Sequence, residues 1–324
     1  MAVYTEVSDE ELEAFIAEYD IGRLIAFKGI AEGVENSNFV LQTETDIAEH
    51  TFILTLYEKR VNPQDLPFFL GLMEHLAEHG VTCPTPIHGR DGKALRELCG
   101  RPAAITSFLQ GVWPQRITPN HCAQLGAALA RMHLAGQDFD LSRPNDLSVA
   151  AWRPLLDACA GEADQVQSGL CGILDAELAA LESAWPADLP AGVIHADLFP
   201  DNVFFLRERL SGLIDFYFAC NDFFAYDLAI CLNAWCFERD GSFNVTKARN
   251  LLGSYRQQRP FSDAEMDALP LLARGSAIRF LLTRLYDWLN GPEGALVRPK
   301  DPLEYLHKLR FHQSVEGPAA YGLD

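Results

Sequence analysis

The sequence predicts an α+β chain in two lobes, a small antiparallel sheet carrying one helix and then a larger, mainly helical part. Three observations carry that expectation. Up to Phe108 the apolar residues fall in short alternating segments separated by turn residues, as half-buried strands require. Beyond Gly111 the spacing changes to that of helices. Near residues 192–215 the strand pattern returns briefly, as a short strand and a tight hairpin that flank a polar loop.

The first helix is expected near Asp9 to Tyr19, with Ser8 as its N-cap. Strands follow near Gly22–Lys28, Asn38–Thr43 and Thr51–Tyr57, the last two as a hairpin. Between Asp65 and His79, apolar residues at 66, 69, 70, 72, 73 and 76 give a helix that stops at Gly80. The prolines of CPTPI force extended chain. Short strands at Ala94–Leu98 and Pro102–Phe108 complete a lobe of residues 1–106, joined through 107–112 to a second lobe, 113–324. In that lobe helices fit His121–Ala135, Val149–Ala158 and Val166–Ala184. A strand at Gly192–His195 and a hairpin of Val203–Leu206 with Leu210–Ile214 precede a largely helical remainder, with breaks at Pro260, Pro270, Gly291 and Pro299.

Length and composition bound the function. The 324 residues are enough for two cores, and no repeat or low-complexity stretch appears. The net charge of −19 works against a nucleic-acid partner, because a phosphate backbone needs a basic face. No run approaches the ~18 apolar residues of a membrane span, and the acidic opening MAVYTEVSDEELEAF lacks the basic start and apolar core of a signal peptide. The eight cysteines form no CxxC pair and lie mostly among apolar neighbours. Free thiols in a cytoplasmic protein are the expectation.

The chemistry concentrates in His195-Ala-Asp197-Leu-Phe-Pro-Asp201-Asn202, followed after the hairpin by Leu-Ile-Asp215-Phe216-Tyr217. Phosphoryl transfer from ATP to an alcohol needs a carboxylate to orient the hydroxyl and take its proton, and oxygen ligands for a hard cation such as Mg²⁺. Asp197 suits the base. Asn202 enters the hairpin and Asp215 leaves it, so a two-stranded ribbon brings two metal ligands together beside Asp197. His195 is expected to support the loop through hydrogen bonds rather than to carry a proton, and Asp201 to serve the turn.

These two motifs resemble the protein-kinase-like fold, and within it the aminoglycoside phosphotransferase and choline kinase branch. The likeness runs along most of the chain. Gly29-Ile-Ala-Glu-Gly33-Val-Glu-Asn36-Ser37-Asn38 resembles the nucleotide-covering hairpin, and Ile105-Thr-Ser107-Phe108-Leu109-Gln-Gly111 the hinge whose backbone holds adenine. Phe224-Ala-Tyr226-Asp227 resembles the segment whose aspartate braces the catalytic loop. EGVENSNF, FILTLYEKRV, HADLFPDNVFF, GLIDFYFACND and RFLLTRLYDWLN, in that order, resemble the bacterial homoserine kinases of this fold. The resemblance implies ATP and Mg²⁺ as cofactors and phosphorylation of the L-homoserine hydroxyl, a step towards threonine. A kinase for another small alcohol (choline, ethanolamine, methylthioribose or an aminoglycoside) and a nucleotide-binding pseudokinase are the alternatives.

The pattern departs from that of kinases in one respect. Where the third strand normally carries a phosphate-holding lysine, this chain has Thr55. If the strand persists that far, Lys59 lies on the same face four residues on. It either reaches the phosphates or is a solvated tail beside Arg60, with Lys28 a second candidate. At the acceptor end, a zwitterion asks for an arginine and one or two carboxylates. Arg279 or Arg284 could meet the carboxylate and Asp222 or Glu238 the ammonium, against the reading of each arginine as a surface residue.

Overall fold

The computed structural model describes residues 5–30, 36–58, 61–159, 161–290 and 299–323. Gly33 and Lys59, both expected at the nucleotide, lie outside the described residues.

Helix α1 (Asp9–Ile16) starts at a capping box: Ser8 Oγ accepts the Glu11 N–H while the Glu11 side chain returns to the Ser8 backbone. Five antiparallel strands follow: β1 (Arg23–Gly29), β2 (Ser37–Glu44), β3 (Glu49–Leu56), β4 (Arg96–Leu98) and β5 (Arg101–Ser107), in the order β1-β2-β3-β5-β4. Alternation along the strands sorts their side chains between two cores. Phe39, Leu41, Leu54, Leu56 and Ile105 pack with Leu12, Phe15 and Ile16 of α1. Tyr57 and Ala104 turn to the opposite face and join α2 (Leu66–Glu78).

The remainder is mainly helical: α3 (Pro119–Ala135), α4 (Val149–Cys159), α5 (Ala163–Val166), α6 (Leu170–Ala184), α7 (Phe224–Trp235), α8 (Val245–Gln258), α9 (Asp263–Asn290) and α10 (Leu303–Gln313). Set among them are two small sheets, β6 (Ala191–Ile194) with β9 (Cys220–Phe223), and the hairpin β7 (Val203–Leu206) with β8 (Arg209–Leu213). The α+β reading therefore holds. Helices α3 and α8 touch backbone to backbone, because a side chain at Gly126 would collide with the Leu251 carbonyl. All eight cysteines are free, six of them buried. No helix of the described residues is long and apolar enough to cross a membrane.

Three local expectations need correction. Pro270 does not break its helix, since α9 runs through it from Asp263 to Asn290. Proline removes one hydrogen bond from the ladder, and the apolar stripe from Leu269 to Leu285 that α9 buries favours its continuation. The helix expected over 166–184 begins only at Leu170, because Gly169 takes a left-handed conformation (φ 77°) and separates α6 from the short α5 before it. Strand β9 lies in the stretch after Asp215 expected to be largely helical. It pairs with β6 through four residues that show no alternation to announce it.

A buried polar network ties the C-terminal helices together. Asn233 Nδ2 donates to the Ala273 carbonyl (3.0 Å), and His312 bridges Asn233 Oδ1 (3.1 Å) and the Tyr321 hydroxyl (2.8 Å). Burial pushes the His312 imidazole down to about 3 from its ordinary 6.5. Between those values the unfolded chain binds a proton that the folded chain refuses, so stability rises with pH across the window and is lost as pH falls. The slope attributable to His312 is about 1.4 kcal/mol per pH unit below pH 6. Urea unfolding of wild type and His312→Gln at pH 7.5, 5.5 and 4.5 should show the variant's slope between the last two reduced by about that amount. Parallel slopes would mean that His312 is not the acid-sensitive group.

Candidate active site

The site is built on the turn after β6. Val193 and Ile194 are buried, which anchors the strand, and the chain then reverses through Ala196 with φ 62°, a conformation costly for a residue with a Cβ. Asp227, in the first turn of α7, stabilises it. Its Oδ2 accepts the His195 N–H (2.8 Å) and its Oδ1 the Ala196 N–H (3.0 Å). His133 of α3 reaches Asp227 Oδ2 (3.1 Å) through Nε2 and the Tyr255 hydroxyl (2.7 Å) through Nδ1. Burial alone would raise the Asp227 carboxyl, but the hydrogen bond and charge of His133 hold it below its ordinary value.

His195 spans the site. Its Nε2 donates to the Ile214 carbonyl (3.0 Å), which fixes the turn after β6 to the residue before Asp215. Burial lowers its pKa, so the ring is neutral. Asn202 adds the second clamp: Nδ2 donates to the Asp197 carbonyl (2.8 Å) and to Asp197 Oδ2 (3.2 Å), while its own carbonyl accepts the Ile214 N–H (3.0 Å). Asp215 is exposed and left-handed (φ 65°), so the chain swings it out of the hairpin. The carboxyl of Asp197 is raised well above its ordinary value by burial first, with Asp215 and Asp201 adding to the rise and Arg279 and Lys300 opposing it. Asp197, Asn202 and Asp215 therefore converge on one place.

That donor set suits a hard divalent cation. With Asn202 Nδ2 committed to the loop, the carboxamide oxygen is the group it can offer beside the Asp215 carboxylate. Among the described residues no three His, Cys, Asp or Glu side chains gather as a metal cage. A magnesium-like ion asks for less, one or two carboxylates with substrate phosphates completing the shell.

The residues expected at the nucleotide are distributed as follows. Asn36 Oδ1 accepts the Glu58 N–H (3.2 Å), Ser37 Oγ donates to Glu58 Oε1 (2.7 Å), and Asn38 Oδ1 accepts the Thr55 hydroxyl (2.8 Å). These side chains lace β2 to β3. Thr55 thus occupies the lysine position with its hydroxyl turned to Asn38. Ser107 exchanges hydrogen bonds with Thr85 at 2.9 Å, Phe108 is exposed, and the Leu109 side chain packs against Gly212 of β8. Val112 then pairs with Phe205 through two hydrogen bonds, at 3.0 and 2.9 Å, so the linker is docked on the hairpin.

At the acceptor end the candidates separate. Glu238 is paired with Lys247 and Asn244, both at 2.7 Å, and Arg284 with Glu304 (2.7 Å) beneath the Tyr305 ring. Asp222 is held by Asn145 Nδ2 (2.7 Å) and by the Phe223 N–H (2.7 Å), and burial raises its pKa. Arg279 is buried and donates to the Ala196 carbonyl (2.6 Å). Beside it opens a cavity of about 270 Å³ lined by Asn62, Asp65, Arg143, Asn145, Tyr217 and Arg279 among others. Sequence reasoning missed Asp65, Arg143 and Asn145. They stand in turns without periodicity, and only the fold brings residues 65 and 143 into an ion pair (2.7 Å).

This fold and this loop define a phosphotransferase of protein-kinase-like architecture, and residues 26–261 match the phosphotransferase enzyme family. The solved structure of an amicoumacin kinase superposes with a TM-score of 0.72 at 14% identity, covering 95% of this chain and 94% of that one, a likeness of fold. Within the phosphotransferase family, the chain belongs to the homoserine kinases. It is 68% identical to the homoserine kinase of Rhodospirillum rubrum (100% of this chain, 99% of that one) and 66% identical to that of Paramagnetospirillum magneticum (100% of both).

Proposed function

We propose that this enzyme transfers the γ-phosphoryl group of ATP to the hydroxyl of L-homoserine, giving O-phospho-L-homoserine and ADP, with Mg²⁺ as the metal and the cytoplasm as its compartment. The observation that carries the acceptor is the identity of about two thirds, along the whole chain, to enzymes named for homoserine. The free thiols support the compartment. Residues 1–106 act as the nucleotide-covering lobe, 107–112 as the hinge and 113–324 as the lobe that carries catalysis and the acceptor.

Asp197 accepts the hydroxyl proton as the oxygen–phosphorus bond forms and the bond to the leaving ADP breaks. Its burial beside Asp215 places its basicity above that of an ordinary carboxylate, which suits a base working near neutral pH. Asn202 and Asp215 would hold the divalent ion, which would neutralise charge on the phosphates. Asp227 and His195 act as positioning residues, one through the loop backbone and the other through Ile214.

A panel read by ADP release tests the reading. Homoserine should exceed choline, ethanolamine and kanamycin by on the order of 10²-fold or more in kcat/KM. EDTA should abolish turnover and excess Mg²⁺ restore it. Preference for another alcohol would reassign the acceptor, and no turnover with any would favour a pseudokinase.

A further inference from the structure

The acceptor reading above is the premise of this inference. Four cations are buried among the described residues: Lys247, Arg259, Arg279 and Lys308. Three have a carboxylate at hand: Lys247 with Glu238 (2.7 Å), Arg259 with Glu265 (2.8 Å) and Lys308 with Glu304 (2.6 Å). Arg279, at 2% exposure the most enclosed of the four, has none within ion-pairing distance among the described residues. Its Nη1 bonds a neutral carbonyl, that of Ala196, and its Nε is buried with no partner. The rings of Phe280 (4.6 Å) and Phe218 (5.8 Å) supply only a weak counter-field. Asp197 and Asp222 feel its charge from beyond contact distance, but no described carboxylate touches it, and a desolvated cation without a direct anionic partner is an expensive arrangement that a bound anion would relieve.

Two further facts say which ligand. Arg279 lines the 270 Å³ cavity, and the other arginine there, Arg143, is already neutralised by Asp65 (2.7 Å) and Asp146 (2.5 Å). With Nη1 committed to Ala196, the Nε–Nη2 edge of Arg279 is left, near the buried Tyr226 hydroxyl, and its two parallel N–H groups match the two oxygens of a carboxylate. The carbonyl it holds belongs to the residue before Asp197, so an anion on that edge lies one small molecule away from the base.

We propose that Arg279 receives the α-carboxylate of the amino-acid acceptor, seats it in the cavity bounded by the start of α2, the 143–147 turn and α9, and so directs the acceptor's hydroxyl to Asp197. Arg279 is then the residue by which the enzyme separates an amino-acid alcohol from a plain amino alcohol.

The test compares L-homoserine with 3-aminopropan-1-ol, which has the same chain and ammonium and lacks the carboxylate. Wild type should prefer homoserine on the order of 10³-fold in kcat/KM. In Arg279→Met both acceptors should lose turnover through the freed Ala196 carbonyl, but homoserine should lose roughly 100-fold more in kcat/KM, chiefly through KM, so that the preference falls below about tenfold while the KM for ATP changes little. Arg279→Lys, which keeps the charge without the fork, should lie between. Because the preference is a ratio within one sample, partial misfolding of a variant does not alter it. Equal losses on both acceptors would overturn the proposal and leave Arg279 as a prop for the Ala196 turn. A raised KM for ATP with the preference intact would overturn it in favour of a nucleotide phosphate. Wild type that ignores homoserine but phosphorylates another alcohol would sink the acceptor reading itself, before any variant is made.

Discussion

Asp197→Asn should lower kcat by about 10²- to 10⁴-fold while ATP still binds. The substitution keeps the side-chain volume and leaves an oxygen to accept from Asn202 Nδ2, so the clamp at 3.2 Å can persist. What disappears is a proton acceptor whose affinity burial and Asp215 have raised. Nothing else described at the turn can replace it. The His195 ring donates to Ile214 and its pKa is lowered, and Asp201 is about half-exposed beside Lys300, 4.0 Å away. Single-turnover rates with calorimetric titration of nucleotide would separate chemistry from binding. A variant with near-normal turnover would place the base elsewhere.

Asp227→Asn should destabilise the protein by about 3–5 kcal/mol, the range for removing one partner from a buried charged cluster. The carboxylate accepts from two backbone N–H groups and from His133, and none of the three can reach water. A carboxamide has one acceptor oxygen, so its NH₂ must face a donor. The released turn includes Ala196, whose left-handed conformation has no glycine to ease it. Activity should therefore fall along with stability, though Asp227 touches no reacting atom. Urea unfolding at pH 7.5 and kcat below the melting range would measure both. A loss under about 1 kcal/mol with a normal rate would show that the loop holds itself.

Much of this was legible in the residues. Alternation at Leu54, Leu56 and Ile105 and the run from Leu66 to Leu76 announce the sheet and its helix, because one face of each is buried. Asp197, Asn202 and Asp215 are readable because all three stand at fixed offsets around one hairpin, so local geometry alone brings them together. The cavity beside Arg279 is different. Asp65 and Arg143 meet across 78 residues of chain, and Arg279 arrives from α9, so no local pattern could announce their meeting. Nor could composition reveal that Asn36, Ser37 and Asn38 spend their side chains on Glu58 and Thr55. A polar residue in a turn reads the same whether it faces a ligand or a neighbouring strand.

The pairing of Val112 with Phe205 has a metric consequence. Strand β7 is four residues long, a span of about 13 Å at ~3.3 Å per residue. It begins beside Asn202, and its far half is stitched to the linker. If the linker grips the adenine, one rigid ruler gauges both the base and the last phosphate of the nucleotide. Domain opening could then change how tightly the nucleotide is covered without altering where its reactive end falls.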